Sequence, residues 1–110
     1  MTGTPFIPRT IVVHLGTHSS HAENVYVDFP DYIKNVASSE IYPTWPEAAM
    51  RANIYAQISY ALNRYYTEWY RSQGYDFDIT NAPQFDQAYR PGREIYDSIS
   101  AIVDDVSTPT

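Results

Sequence analysis

Residues 25–62 read VYVDFPDYIKNVASSEIYPTWPEAAMRANIYAQISYAL, and this stretch decides the fold. Its leading edge belongs to a β-branched and aromatic run at 24–29 (NVYVDF), which has the length of one strand. Asp28 to Pro30 ends that strand. A proline in the first turn followed by Asp31 predicts a helix beginning at Pro30. Ile33, Val36, Ala37 and Glu40 stand at offsets of three, four and seven, so they share one face of that helix. Glu40 thus continues an apolar stripe, with Asn35, Ser38 and Ser39 close by. Taken alone, the same acid also reads as a solvated residue at a helix end.

Further along, Thr44-Trp45-Pro46-Glu47 has the spacing of a capping box, with the Thr44 hydroxyl on the Glu47 amide. A helical pattern runs from there to Gln73, and Gly74 stands where a left-handed terminating residue belongs. Met50, Ile54, Ile58, Ala61, Leu62, Tyr65 and Trp69 form its stripe, widened by Ala52, Tyr55, Ser59, Tyr66 and Tyr70. A helix of about 28 residues would be about 42 Å long. Such a helix must be the central element, or be shared with another subunit.

Upstream, residues 10–15 (TIVVHL) form a second strand-like run, and the polar GTHSSHAE between the two runs predicts a β-hairpin with a long connection. Downstream, residues 75–90 (YDFDITNAPQFDQAYR) are irregular, with room for one short strand. Pro91-Gly92 opens a last helical pattern carrying Ile95, Ile99, Ile102, Val103 and Val106. The expected fold is α+β: an N-terminal β-hairpin packed on one long central helix, with a short helix before it and a C-terminal helix after it. Residues 1–8 read as a lead-in, 9–106 as a single domain and 107–110 as a frayed tail.

The chain has 110 residues and a formal charge of −6, from thirteen acids against seven bases. No basic stripe exists, which argues against nucleic acid and anionic membrane as partners. With no cysteine, a disulfide framework and a thiolate metal site are both excluded. No apolar run approaches about 18 residues, so no transmembrane segment is expected. MTGTPFIPRT shows neither the basic nor the apolar region of an export signal. The eleven tyrosines offer rigid faces with a polar tip, suited to a core, to an interface or to a sugar ring.

The order of strand, loop, strand, short helix, acid, tryptophan and long alanine-rich helix resembles the start of the stage II sporulation protein D (SpoIID) and amidase-enhancer family. DYI (31–33), ASSE (37–40), TWPEA (44–48) and AMRAN (49–53) fall on the family's anchors in order, and FDITNAPQFDQAY (77–89) resembles a second block. The resemblance implies recognition of peptidoglycan glycan strands and their lytic cleavage, with the family's catalytic glutamate falling on Glu40. In that chemistry one acid protonates the glycosidic oxygen while the sugar's own 6-hydroxyl closes on the adjacent carbon. Tyr42, Trp45, Ser39 and Asn53 are then the expected substrate-binding residues, and no metal or other cofactor is implied. An acid on an apolar face beside Tyr42 and Trp45 is expected to be desolvated, with a raised pKa.

This chain departs from the family pattern in particular places. Asn53 stands for the family's glutamine and Ile58 for its arginine, and the Cys/His pair of the second block is missing. The family domain also continues past the place of Val106 into a Gly/Ser-rich second half of the cleft, expected to be absent here. These departures leave an alternative: a non-catalytic glycan-binding or assembly module, forming a homo-oligomer that buries Tyr65, Tyr66, Trp69 and Tyr70 of the long helix. By resemblance the expected setting is the cell envelope or the spore.

Other constellations are weaker. His14, His18 and His21 would share one helical face as metal ligands, but Gly16 and a Ser-Ser pair place them in a loop. Asp76, Asp78 and Asp86 do not match a calcium loop. Ser38 and Ser39 lack a histidine base in the pattern.

Overall fold

A computed structural model describes residues 7–107. The lead-in expected over 1–8 lies outside the described residues except for its last two. The tail expected over 107–110 does so except for Ser107, which closes the final helix.

The fold is α+β. Strands β1 (Thr10–His14) and β2 (Asn24–Asp28) form the expected hairpin, paired antiparallel with Val12 opposite Tyr26. A two-residue strand β3 (Ile79–Thr80) lies parallel to the other edge of β1, giving the sheet order β2-β1-β3. As the central strand, β1 is covered on both faces. Its residues Ile11 through His14 are all buried, so TIVVH reads as a continuous apolar run instead of an alternating one. Ile11 and Val13 enter the main core, and Val12 packs with Tyr70 and Phe77 on the opposite side.

Helix α1 (Phe29–Glu40) follows β2 directly, with Pro30 in its first turn. Its buried face (Phe29, Tyr32, Ile33, Val36, Ala37) meets Ile54, Ile58 and Ala61 of helix α2 (Glu47–Tyr66) and Ile99 and Val103 of helix α3 (Asp97–Ser107).

The long helix differs from expectation at both ends. No capping box forms: Pro46 is the N-cap and no side chain caps the helix. A residue before proline is disfavoured in the helical region, so Trp45 cannot be part of a first turn, and the start moves past Pro46. At the other end α2 stops at Tyr66, and Thr67 bonds back to the Asn63 carbonyl through both its amide and its hydroxyl. Glu68 then turns the chain with φ 52, a single 3-10 turn covers Arg71–Gln73, and Gly74 ends it at φ 97. A straight helix of about 42 Å would outrun the molecule, whose greatest extent is 39 Å. The bend instead brings Tyr70 back over Val12 and Phe77, where it is buried within this one chain and not at a subunit interface.

The last helix also begins later than Pro91-Gly92. Gly92 has φ 77, which breaks helical geometry, and the first helical bond runs from the Ser100 amide to the Tyr96 carbonyl.

One carboxylate ties the layers together. The Asp86 side chain is fully buried; Oδ1 accepts from Arg64 Nε at 3.0 Å, and Oδ2 from the Tyr70 hydroxyl at 2.6 Å. The Thr80 amide (3.1 Å) and hydroxyl (2.6 Å) also donate to Oδ2, so Asp86 binds α2, the post-helix bend and β3 at once. Replacing Asp86 with alanine leaves Arg64 and Thr80 without their acceptor. The loss of stability should be about 3–5 kcal/mol, read as a lower urea midpoint at unchanged slope.

Candidate functional site

Glu40 is the last residue of α1. The buried place next along the chain is taken by Ile41, which is 4 % exposed, while Glu40 itself is exposed. The burial expected for Glu40 is therefore not found. The apolar stripe of Ile33, Val36 and Ala37 ends one turn before it, because the chain turns extended at Ile41.

The carboxylate is nonetheless held in place. Gln57 Nε2 of α2 donates to Oε1 at 3.1 Å, and the Ala88 amide donates to Oε2 at 3.1 Å. Each oxygen keeps a further lone-pair direction for solvent or a ligand. Gln57 is itself buried, and its Oε1 has no hydrogen-bond partner among the described residues.

Beneath Glu40 runs a buried polar relay. The Tyr32 hydroxyl donates to Gln87 Oε1 at 2.8 Å, and Gln87 Nε2 donates to the Gln57 carbonyl at 3.0 Å. Asn35 closes the same segment onto α1: its Nδ2 donates to the Arg90 carbonyl at 2.7 Å, and its Oδ1 accepts the Arg90 amide at 2.8 Å. The stretch 87–90 is thereby laced to α1 along the helix, and this lacing places the Ala88 N–H under Glu40.

The other expected site residues are less closely gathered. Tyr42 is 69 % exposed, with its ring 6.4 Å from that of Trp45, which packs partly on the core. The Ser39 hydroxyl bonds back to the Asn35 carbonyl and the Asn53 amide group to the Ala49 carbonyl, each within its own helix. Asn53 is exposed on α2 one turn before Gln57. No hydrogen bond joins Glu40 to Ser39, Tyr42, Trp45 or Asn53 among the described residues. Ile58, in place of the family's arginine, is buried in the core, and the side chain that reaches Glu40 from α2 is Gln57.

The sequence reading missed Gln57 and Gln87, and weighed Asp86 only as a calcium ligand and not as a buried anchor. Gln57 carried a signal: it stands three residues after Ile54 and seven after Met50, a polar residue inside an apolar stripe. Asp86 and Gln87 lie in an aperiodic segment that offers no such signal.

The histidines are not brought together. Buried His14 faces Asn24 Oδ1 at 2.7 Å and the Ser20 carbonyl at 3.1 Å, His18 lies against Tyr75 and Phe85, and His21 is exposed. Among the described residues no group of His, Cys, Asp and Glu side chains could hold a metal ion.

The model of the stage II sporulation protein family, SpoIID, matches residues 17–108. The chain belongs to this family. The match takes in the second strand, all three helices and the segment 77–89. Membership in the SpoIID family gives the chain a sporulation-related, cell-wall context. No helix of the described chain is long and apolar enough to cross a membrane. No curated protein and no solved structure matches the chain.

Burial, and then the nearby Asp86 and Glu40 carboxylates, holds the Tyr32 phenol well above its ordinary value of 10.0. Burial and then the hydrogen bond to Asp86 push Tyr70 up in the same direction. The fold keeps these protons at a pH where the unfolded chain releases them. Stability should therefore be full below about pH 10 and fall as pH rises beyond it, by about 1.4 kcal/mol per pH unit for each such tyrosine. Denaturation at stepped alkaline pH measures this slope, and Tyr32→Phe should flatten it at a cost of about 1 kcal/mol near neutrality.

Proposed function

We propose that this chain recognises peptidoglycan glycan strands on the face around Glu40 and cleaves them lytically, with Glu40 as the general acid. The observation that carries this reading is the fixed Glu40 carboxylate. It is open to solvent, oriented by Gln57 and the Ala88 amide, and followed at once by the exposed Tyr42 and the half-buried Trp45. Family membership supports the substrate class.

The chemistry needs only one carboxyl group. The Glu40 proton passes to the glycosidic oxygen as the bond from that oxygen to the anomeric carbon breaks. The 6-hydroxyl of the same sugar then closes on the anomeric carbon and returns its proton to the Glu40 carboxylate. A ring now bridges carbons 1 and 6 of the new end, and no water is consumed. Tyr42 and Trp45 offer ring faces to the sugar, and Ser39 and Asn53 stand on the flanking turns of α1 and α2. A strand settling over Glu40 supplies the desolvation that the free chain lacks. The setting this implies is the cell envelope or the spore.

A second reading, a glycan-binding or assembly module without cleavage, is favoured by the same carboxylate: both oxygens accept from N–H donors, the arrangement of a group that receives sugar hydroxyls. Exposed Tyr55, Tyr66 and Trp69 on α2 and just past it could then meet a second copy.

Incubation with glycan strands stripped of their peptides separates the readings. Cleavage predicts 1,6-anhydro ends that drop by a factor of about 100 to 10,000 in Glu40→Gln, with strand retention preserved. Retention without product would leave only the binding module. Neither retention nor product would overturn both.

A further inference from the structure

On the far side of the sheet from α1 lies a groove of about 400 Å³, within the size range of pockets that take small ligands. Val12 lies in its floor, and its walls carry Tyr26 from β2, Tyr65 and Tyr66 from the end of α2, and Glu68 and Arg71 from the bend. We propose that this groove is a second carbohydrate subsite, taking one neutral pyranose unit of a glycan.

The aromatic part is shaped for a ring. Tyr26 projects from the sheet at 78 % exposure because alternation along β2 sends Val25 and Val27 to the core and Tyr26 the other way. Tyr65 and Tyr66 meet at 82° with centroids 5.0 Å apart, so one plane can underlie a sugar while the other flanks it. The CH-rich face of a pyranose suits such surfaces, and its edge hydroxyls need planar polar partners.

Those partners are present. Arg71 is anchored by its Nε alone, at 2.8 Å from Asp78 Oδ1, while Asp78 Oδ2 accepts the Val12 amide at 2.8 Å. The two terminal amino groups of Arg71 have no partner among the described residues, and the guanidinium is held with them free to donate. Glu68 supplies the acceptor. Its side chain is also unpartnered among the described residues, and it stands at the groove at φ 52, a conformation that disfavours any residue but glycine, asparagine or aspartate.

Charge selects the ligand. Asp78 neutralises Arg71, and Glu68 and nearby Asp76 leave the surroundings net negative, which disfavours an anion. The terminal amino groups of Arg71, left free as donors, call for hydroxyl or carbonyl acceptors, which a neutral polyhydroxy ligand supplies and an organic cation does not.

The ligand class rests on the glycan reading, but the groove uses none of the residues around Glu40, so the two can be tested apart. Amide NMR spectra of the chain titrated with a tetramer of N-acetylglucosamine should show saturable shifts at Tyr26, Tyr66, Glu68 and Arg71. Tyr26→Ala and Glu68→Gly should each weaken that binding about tenfold with the unfolding midpoint unchanged or, for Glu68→Gly, raised. Glu40→Gln should leave the groove shifts in place. Shifts confined to Glu40, Gln57 and Ala88 would overturn the subsite while leaving the glycan reading intact. Absence of shifts at the groove, or shifts indifferent to both groove variants, would also overturn it.

Discussion

The buried Asp86 carboxylate is the constraint on which the rest of the arrangement hangs. A charge removed from water must be met by donors on every side, and here they come from Arg64, Tyr70 and Thr80. Those residues belong to α2, to the bend that follows it and to the short edge strand, so one side chain fixes the relative places of three parts of the chain. The segment after Asp86 inherits this anchorage. Gln87, Ala88 and Arg90 reach Tyr32, Glu40 and Asn35 along α1, and the orientation of Glu40 depends on them.

A second consequence follows from the central position of β1. With helices packed on one face, the other face would expose Val12 and His14. The chain covers it by ending α2 at Tyr66 and folding back through Tyr70, Tyr75 and Phe77. Phe77 stacks on His14 at 4.4 Å, and His14 in turn holds the long hairpin loop through Asn24 and Ser20. The groove lined by Tyr26, Tyr65 and Tyr66 takes its charged wall, Glu68 and Arg71, from this return.

The Glu40 face and the Tyr26 groove are built differently. Glu40 is a single acid at a helix end, steadied by two N–H donors and open to solvent. The fold itself does not bury it, so the desolvation that the proposed acid role calls for has no source within the described chain. The groove is a pocket already formed, with ring faces set at right angles and charged groups fixed at its edge. If both proposed surfaces take sugars, linked units on one strand would bind with an effective-concentration gain over either surface alone.

Periodicity determined much of this protein. The hairpin, α1 with its buried Ile33, Val36 and Ala37, and the Met50–Leu62 core stripe of α2 were legible because β-branched runs of strand length mark strands and helical spacing reports which side chains a helix can bury. The order of those elements, with DYI, ASSE and TWPEA at their joints, was also enough to read the family. Tertiary structure decided what periodicity cannot express. Tyr70 left the helix to cover Val12, and Glu40 fell outside the core although its spacing pointed in. The groups that hold Glu40 come from 17 and 48 residues away. Contacts across such separations depend on how loops close, and aperiodic segments such as 75–90 leave no local mark of the partners they will meet.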